Sequence, residues 1–305
     1  MELPRVLVIG CGGTKIYKAL GFITALEDKG FLNNISIYSG VSAGALTSLL
    51  LTLGYTSREI SGHLMNIDLF NGNMSVNGIL ENNGLLTMEP IRKTITSLMI
   101  SKYGKSLTFE ELYLETGFKL VVGSYNLDER RMIMFNKESH PNVLCIDSVL
   151  ASMCVFLFFQ KVIINNQTYY DGAFGNPYPI DYFDNGTTIV LGIYMKSIPE
   201  VVEQSIPEMI RMVEHGKFSL LKDFNTLLQS LLEQKTIESI RRCSDKCYHV
   251  ELLVKTDQLI NLSLNISKQA ELLTEGYSQG KRFVESYITE SYVHPNIPEL
   301  DKYNY

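Results

Sequence analysis

The chain has 305 residues, 45% of them hydrophobic and 20% charged, which excludes disordered and fibrous classes and leaves ample apolar material for one large core. Its 33 acidic residues outnumber 27 basic ones for a formal net charge of -6, and that balance argues against nucleic acid as a partner, because phosphate contacts need an excess of lysine and arginine. Cys11, Cys145, Cys154, Cys243 and Cys247 are odd in number and scattered, unlike a disulfide framework, so a reducing cytoplasmic setting is expected.

The N-terminus has neither the basic start nor the long apolar middle of a signal peptide. The longest apolar run, Val149 to Phe159, falls well short of the roughly 20 residues that cross a bilayer, so no transmembrane segment is expected.

In chain order, the apolar run Val6 to Ile9 ends in Gly10-Cys11-Gly12-Gly13. Ile16, Ala19, Leu20, Ile23 and Leu26 then recur at helical spacing up to Asp28. Ile35 to Tyr38 reads as a second strand, and Gly40-Val41-Ser42-Ala43-Gly44 turns sharply into an apolar helix from Ala45 to about Leu53. Two strand-turn-helix units in succession predict a mostly parallel sheet with helices on both sides.

Further along, Phe118 to Gly123 and Arg131 to Phe135 form a predicted strand pair around the polar turn Asn126 to Glu129. Val162 to Ile164 and Thr168 to Tyr170 form a hairpin across Asn165-Asn166, and Thr187 to Ile193 is another buried strand. From Phe218 to Ile240, Leu221, Phe224, Leu228 and Leu231 mark a long amphipathic helix. No basic face accompanies this stripe, so it reads as packing on the core. One domain over residues 1–305 is expected, with a motif-bearing core of about 5–195 and a helical C-terminal part of about 196–305.

Two turns carry chemistry. Gly40 to Gly44 fits G-x-S-x-G between a strand and a helix, where Gly40 and Gly44 remove the Cβ atoms that would collide in a tight reversal and Ser42 is presented as a nucleophile. The following helix points its N-terminal N–H groups toward the serine. The first glycine loop lacks the third glycine of a dinucleotide fingerprint and the Gly-Lys-Ser/Thr ending of a P-loop. It remains a source of bare N–H donors, and adjacent parallel strands would open both turns into one crevice.

For a base, the residues leave His215, His249 and His294 open, along with Asp171, which enters the glycine-rich turn Asp171-Gly172-Ala173-Phe174-Gly175-Asn176-Pro177. Cys243, Cys247 and His249 form only a weak zinc pattern. The residues offer no good metal site, and no cofactor is expected.

Gly12-Gly13-Thr14-Lys15, Gly40-Val41-Ser42-Ala43-Gly44-Ala45, Asn83-Gly84-Leu85-Leu86, Leu107 to Tyr113, Ala151-Ser152 and Tyr170-Asp171-Gly172-Ala173 together resemble the patatin-like phospholipases. The likeness extends to about Phe283, with Gly276-Tyr277 in a late helix. It implies a three-layer α/β/α sandwich, a Ser42–Asp171 dyad, Gly172 in the turn after the acid, an oxyanion hole at Gly12 and Gly13, and hydrolysis of acyl esters of phospholipids or related lipids.

Cys11 stands where the family usually has its first oxyanion glycine. Ile16 stands where a further glycine is usual, and no proline follows Ala151-Ser152. A lipid substrate also implies transient contact with a membrane surface, for which net charge gives no attraction. Apolar surface, a local basic patch or an activating protein partner would then serve, and the loop from Asn71 to Leu86 and the region Ile206 to Met212 are candidates. Two other readings stay open: a serine hydrolase or acyltransferase with a histidine base, and a lipid-binding or interaction protein without catalysis.

Overall fold

The structure is a computed structural model and describes residues 2–66, 84–198, 219–255 and 264–289. The first half alternates as the apolar periodicities require: β1 (Val6–Ile9), α1 (Ile16–Asp28), β2 (Ile37–Val41) and α2 (Ala43–Thr52). Then come α3 (Ser57–Met65), β3 (Gly84–Leu86), α4 (Glu89–Tyr103) and α5 (Phe109–Thr116). Both α3 and α5 begin at reciprocal capping boxes, Thr56 with Glu59 and Thr108 with Glu111, so two orphan backbone donors at each helix start are satisfied by side chains.

β4 (Lys119–Asn126), β5 (Arg131–Phe135), α6 (Cys145–Met153), β6 (Leu157–Phe159), β7 (Val162–Ile164) and β8 (Gln167–Asp171) follow. The chain continues through β9 (Val190–Ile198), α7 (Ser219–Arg241), β10 (Cys247–Lys255) and α8 (Ile266–Ile288).

The main sheet has the order β10-β9-β1-β2-β4-β8-β7, with β5 also paired to β4. Its first five strands are parallel, whereas β5, β7 and β8 join antiparallel. β3 and β6 make a separate parallel pair. Asn165 and Asn166, both at positive φ, form the two-residue turn of the β7–β8 hairpin, the backbone shape that matches strand twist.

Leu7, Ile9, Tyr38 and Leu120 face the main apolar core with α1, α2, α4, α6 and α8. Val6, Val8 and Val190 face the opposite side, where Tyr178, Ile180 and Ile240 of α7 cover them. Helices therefore lie on both faces of a mostly parallel sheet. The C-terminal part expected to be helical contains β10, which pairs with β9 over its whole length and forms one edge of the sheet. Its apolar residues alternate (Val250, Leu252 and Val254 buried), a half-buried strand pattern that two long flanking helices mask in a regional reading.

Candidate active site

Ser42 follows β2 directly and caps the N-terminus of α2, with φ +58° and ψ -128°. A side chain at positive φ is strained by about 1–3 kcal/mol and persists only where its surroundings enforce it. They do so here through contacts on both sides of the turn. A Cβ on Gly44 would stand 2.2 Å from Ile9 O, and one on Gly40 would stand 2.3 Å from Gly44 C and O. The Ser42 N–H donates to Ser152 Oγ at 2.8 Å, and the Ser152 hydroxyl donates to Gly123 O at 2.6 Å. Ser152 thus fastens the turn to β4. Its position beside the aspartate motif was visible in the sequence, but this role was not.

Asp171 ends β8, opposite Ser124 of β4, while Val41 lies opposite Gly123 on β4's other edge. The serine and the acid therefore flank β4 at one level, with the Ser42 hydroxyl near enough to the Asp171 carboxyl to act on its pKa. Oδ1 of Asp171 accepts from Ala173 N at 2.8 Å, and its own N–H donates to Cys154 O at 2.8 Å. Gly172 follows immediately and opens the short 3-10 turn Gly172–Phe174. Burial raises the Asp171 carboxyl, the Ala173 N–H and the nearby Ser42 hydroxyl offset only part of that rise, and the net value is about 7.

The loop after β1 reaches the same place. Gly10 N–H donates to Ile193 O at 2.8 Å, and Cys11 N–H donates to Pro177 O at 2.9 Å. The Cys11 amide is therefore occupied. Among the described residues, no acceptor takes the N–H of Gly12 or Gly13, and Gly13 has φ +51°. Gly12 and Gly13, singled out in the sequence as donors, are thus free of backbone acceptors, and the Cys11 amide's bond to Pro177 does not involve them. Burial, then the neighbouring Asp171 carboxylate, push the Cys11 thiol up to about 12, so it is a neutral apolar wall. Lys15 is buried and donates to Ser197 Oγ at 2.8 Å; burial lowers its pKa, opposed by Cys11 and by Glu233 of α7. Ile16, the other departure, is a buried residue of the α1 core.

The cover over this site comes from α7. Leu228 and Leu232 pack with Val41, Ala173, Cys11, Met132 and Phe174. Lys235 Nζ donates to Gly175 O at 2.9 Å, and Ser239 Oγ donates to Asn176 Oδ1 at 3.0 Å. The predicted stripe is thus partly right: Leu228 is buried, Leu231 is 44% exposed, and Leu232 takes the inward place. The side chains of Leu221 and Phe224 lie outside the described residues.

Of the histidines left open as bases, His215 and His294 lie outside the described residues. His249 stands on β10, three strands across the sheet from β2, roughly 14 Å at ordinary strand spacing. Its Nδ1 lies 3.3 Å from the Tyr178 hydroxyl. The membrane-contact candidates fall outside the described residues too, except Gly84–Leu86, which form β3. Among the described residues no helix is long and apolar enough to cross a membrane.

Comparison with known proteins bears on this arrangement. A "Probable lipid hydrolase 463L" of Invertebrate iridescent virus 6 is 30% identical over 187 residues, covering 58% of this chain and 62% of the viral protein. An uncharacterised protein of Acanthamoeba polyphaga mimivirus is 25% identical over 193 residues, covering 61% of this chain and 64% of its own. The chain spans less than two thirds of the length of either relative. Among solved structures, VipD from Legionella pneumophila superposes with TM-score 0.55 at 14% identity, covering 93% of this chain and 67% of VipD. The type III effector ExoU gives TM-score 0.50 at 13% identity, over 93% of this chain and 53% of ExoU. At those identities the likeness is one of fold. A family model described as Patatin-like phospholipase matches residues 7–184, the stretch that holds both glycine turns, Ser42 and Asp171. Because that match takes in more than half of the sequence, the chain belongs to the patatin-like phospholipase family.

Proposed function

We propose that this protein is a lipid acyl hydrolase that cleaves fatty-acyl esters of phospholipids or related lipids through Ser42 as nucleophile and Asp171 as general base. The observation that carries the reading is a buried carboxyl, raised to about 7, across β4 from a serine held at a strained turn. A base is most effective when its pKa lies near the working pH. The family membership and the viral lipid hydrolase support the substrate class.

In the proposed cycle, Ser42 Oγ attacks the acyl carbonyl carbon and its proton passes to Asp171. Since Oδ1 is engaged by the Ala173 N–H, Oδ2 is the receiving atom. The carbonyl oxygen, now anionic, takes hydrogen bonds from the Gly12 and Gly13 N–H groups, a kind of contact worth on the order of 100- to 1,000-fold in rate per donor. As the ester C–O bond breaks, Asp171 returns the proton to the leaving alcohol oxygen. Water then attacks the acyl-serine, giving a proton to Asp171, and the second intermediate collapses to free fatty acid with the proton restored to Ser42 Oγ. No metal or cofactor enters these steps.

A lipid-panel hydrolysis assay of wild type, Ser42→Ala and Asp171→Ala tests the proposal. Fatty-acid release by wild type alone, with fluorophosphonate labelling at Ser42, is the expected result. Full turnover by folded Asp171→Ala would remove the base. A folded wild type that neither labels nor hydrolyses any lipid would favour a binding protein on this scaffold.

A further inference from the structure

At the C-terminal end of α7, where the turn after Arg241 leads into β10, a second cluster gathers. The ligand atoms of Asp184, Cys243 and Cys247 all lie within 4.8 Å of one another. The Cys243 thiol donates to Ser239 O at 3.2 Å, and His249, two residues beyond Cys247 on β10, shares that strand face and lies against Tyr178, which packs with both cysteines. Cys247 is paired with Val190 at the start of β9, whereas Ser42 follows the finish of β2, so the cluster and the proposed nucleophile belong to opposite ends of the parallel strands.

We propose that Asp184, Cys243, Cys247 and His249 bind a thiophilic divalent cation, zinc foremost, as a structural site. Two thiolates, an imidazole and a carboxylate form a closed four-ligand set of the kind that suits zinc, and sulfur ligands disfavour calcium and magnesium. In a tetrahedral zinc site the ligand atoms stand about 3.3–3.8 Å apart. The spacing of the Asp184, Cys243 and Cys247 ligand atoms, within 4.8 Å of one another, therefore closes by an inward shift of about 1 Å. Cys243 and Cys247 can make that shift because they bracket the short turn between α7 and β10.

The outer contacts fit the same purpose. Nδ1 of His249 faces the Tyr178 hydroxyl at 3.3 Å, the kind of partner that fixes the ring of a ligating histidine. Asp184 is oriented by Gly186 N at 3.0 Å, Ser244 Oγ at 2.7 Å and the Ser244 N–H. Those three donors leave one of the carboxylate's roughly four acceptor sites for a cation. Among the described residues, no lysine or arginine forms an ion pair with Asp184; Arg242 beside it pairs instead with Asp181 and Glu238.

A bound cation would tie the C-terminal end of α7 to β10 and to the segment after Ile180–Phe183. The middle of that helix carries Leu228 and Leu232 over Cys11 and Ala173. The inference does not depend on the proposed chemistry at Ser42.

The test begins with metal analysis of the full chain purified under reducing conditions, followed by cobalt(II) titration of chelator-stripped protein. Expected are one zinc per chain, thiolate-to-cobalt charge-transfer absorption, and its loss in Cys243→Ser and in Cys247→Ser but not in Cys145→Ala. Tyr178→Phe should weaken zinc binding about 10- to 100-fold. Should the cysteine variants fail to fold, wild type alone decides: zinc should slow alkylation of Cys243 and Cys247 at least about tenfold relative to stripped protein. Folded, reduced wild type that binds neither zinc nor cobalt, absorption that persists in both cysteine variants, or alkylation indifferent to zinc would each overturn the site.

Discussion

Two strand-to-helix turns of similar composition, Gly10 to Gly13 and Gly40 to Gly44, lie side by side at the ends of β1 and β2, yet they use glycine differently. In the first, two N–H groups are tied to Ile193 and Pro177 while those of Gly12 and Gly13 stay without acceptors among the described residues. The side chain that a Cβ on Gly12 would meet is Met195 Cε, at 2.3 Å, the movable end of a flexible residue. In the second, the amide of Ser42 is bonded to Ser152, and the space a Cβ on Gly44 would need is filled by the backbone of Ile9 and Gly10. One turn keeps donors available; the other is locked so that a single hydroxyl points out. Glycine content alone does not distinguish them, but the identity of the colliding atom does.

Substitutions can break this contrast. Ser42→Ala should abolish lipid hydrolysis, a loss on the order of 10⁶-fold, with the melting temperature unchanged or raised because alanine removes only the hydroxyl; residual turnover near wild type would mean that the locked turn presents nothing reactive. Asp171→Asn should cost about 10²- to 10⁴-fold in kcat/KM.

Gly44→Ala should destabilise the fold by about 3 kcal/mol or more, read by denaturant unfolding, because backbone cannot move aside. Gly12→Ala should cost less than about 1.5 kcal/mol of stability, with Met195→Ala restoring part of the loss, while its activity falls about 10- to 100-fold through displaced donors. If the two glycine variants proved equally unstable, the distinction between the turns would be lost.

The carboxyl at 171 also gives the protein a pH signature. With a native pKa of about 7 against an ordinary 3.8, Asp171 is protonated in the native state over a range where the unfolded chain has already released that proton. Its contribution to stability is therefore full below about pH 4 and declines as pH rises to about 7. Activity should run the other way, with log kcat/KM rising by about one per pH unit up to 7 and levelling above it. Asp171→Asn should flatten the decline in stability, measured as the denaturation midpoint from pH 4 to 8.

Much of the site was legible because its signals are local. Strand, glycines and largely apolar helix follow one another within a few residues at each turn, and the aspartate motif is contiguous. The pairing of Ser42 with Asp171 came from family resemblance, since spacing along the chain does not say which strand lies beside which. For the same reason the Cys11 amide looked like a departure from an oxyanion loop until Pro177 proved to be its acceptor. Cys243, Cys247 and His249 read as a weak metal pattern because Asp184, which the fold sets beside the two cysteines, comes from a distant stretch of sequence, before β9 and α7. β10 was lost among helices although its alternation is present. Short-range periodicity was outweighed there by the composition of its neighbours.

The hairpin that carries Asp171 has one more consequence. Its two-residue turn, Asn165-Asn166, sets how β8 is aligned, and the acid is the last of five strand residues counted from that turn. A single insertion in the turn would slide the strand by one place and swing the carboxyl to the other side of the sheet. On the proposed mechanism, catalytic competence is partly a matter of counting, and a length change in an outlying loop would silence hydrolysis while every residue of the motif remained in place.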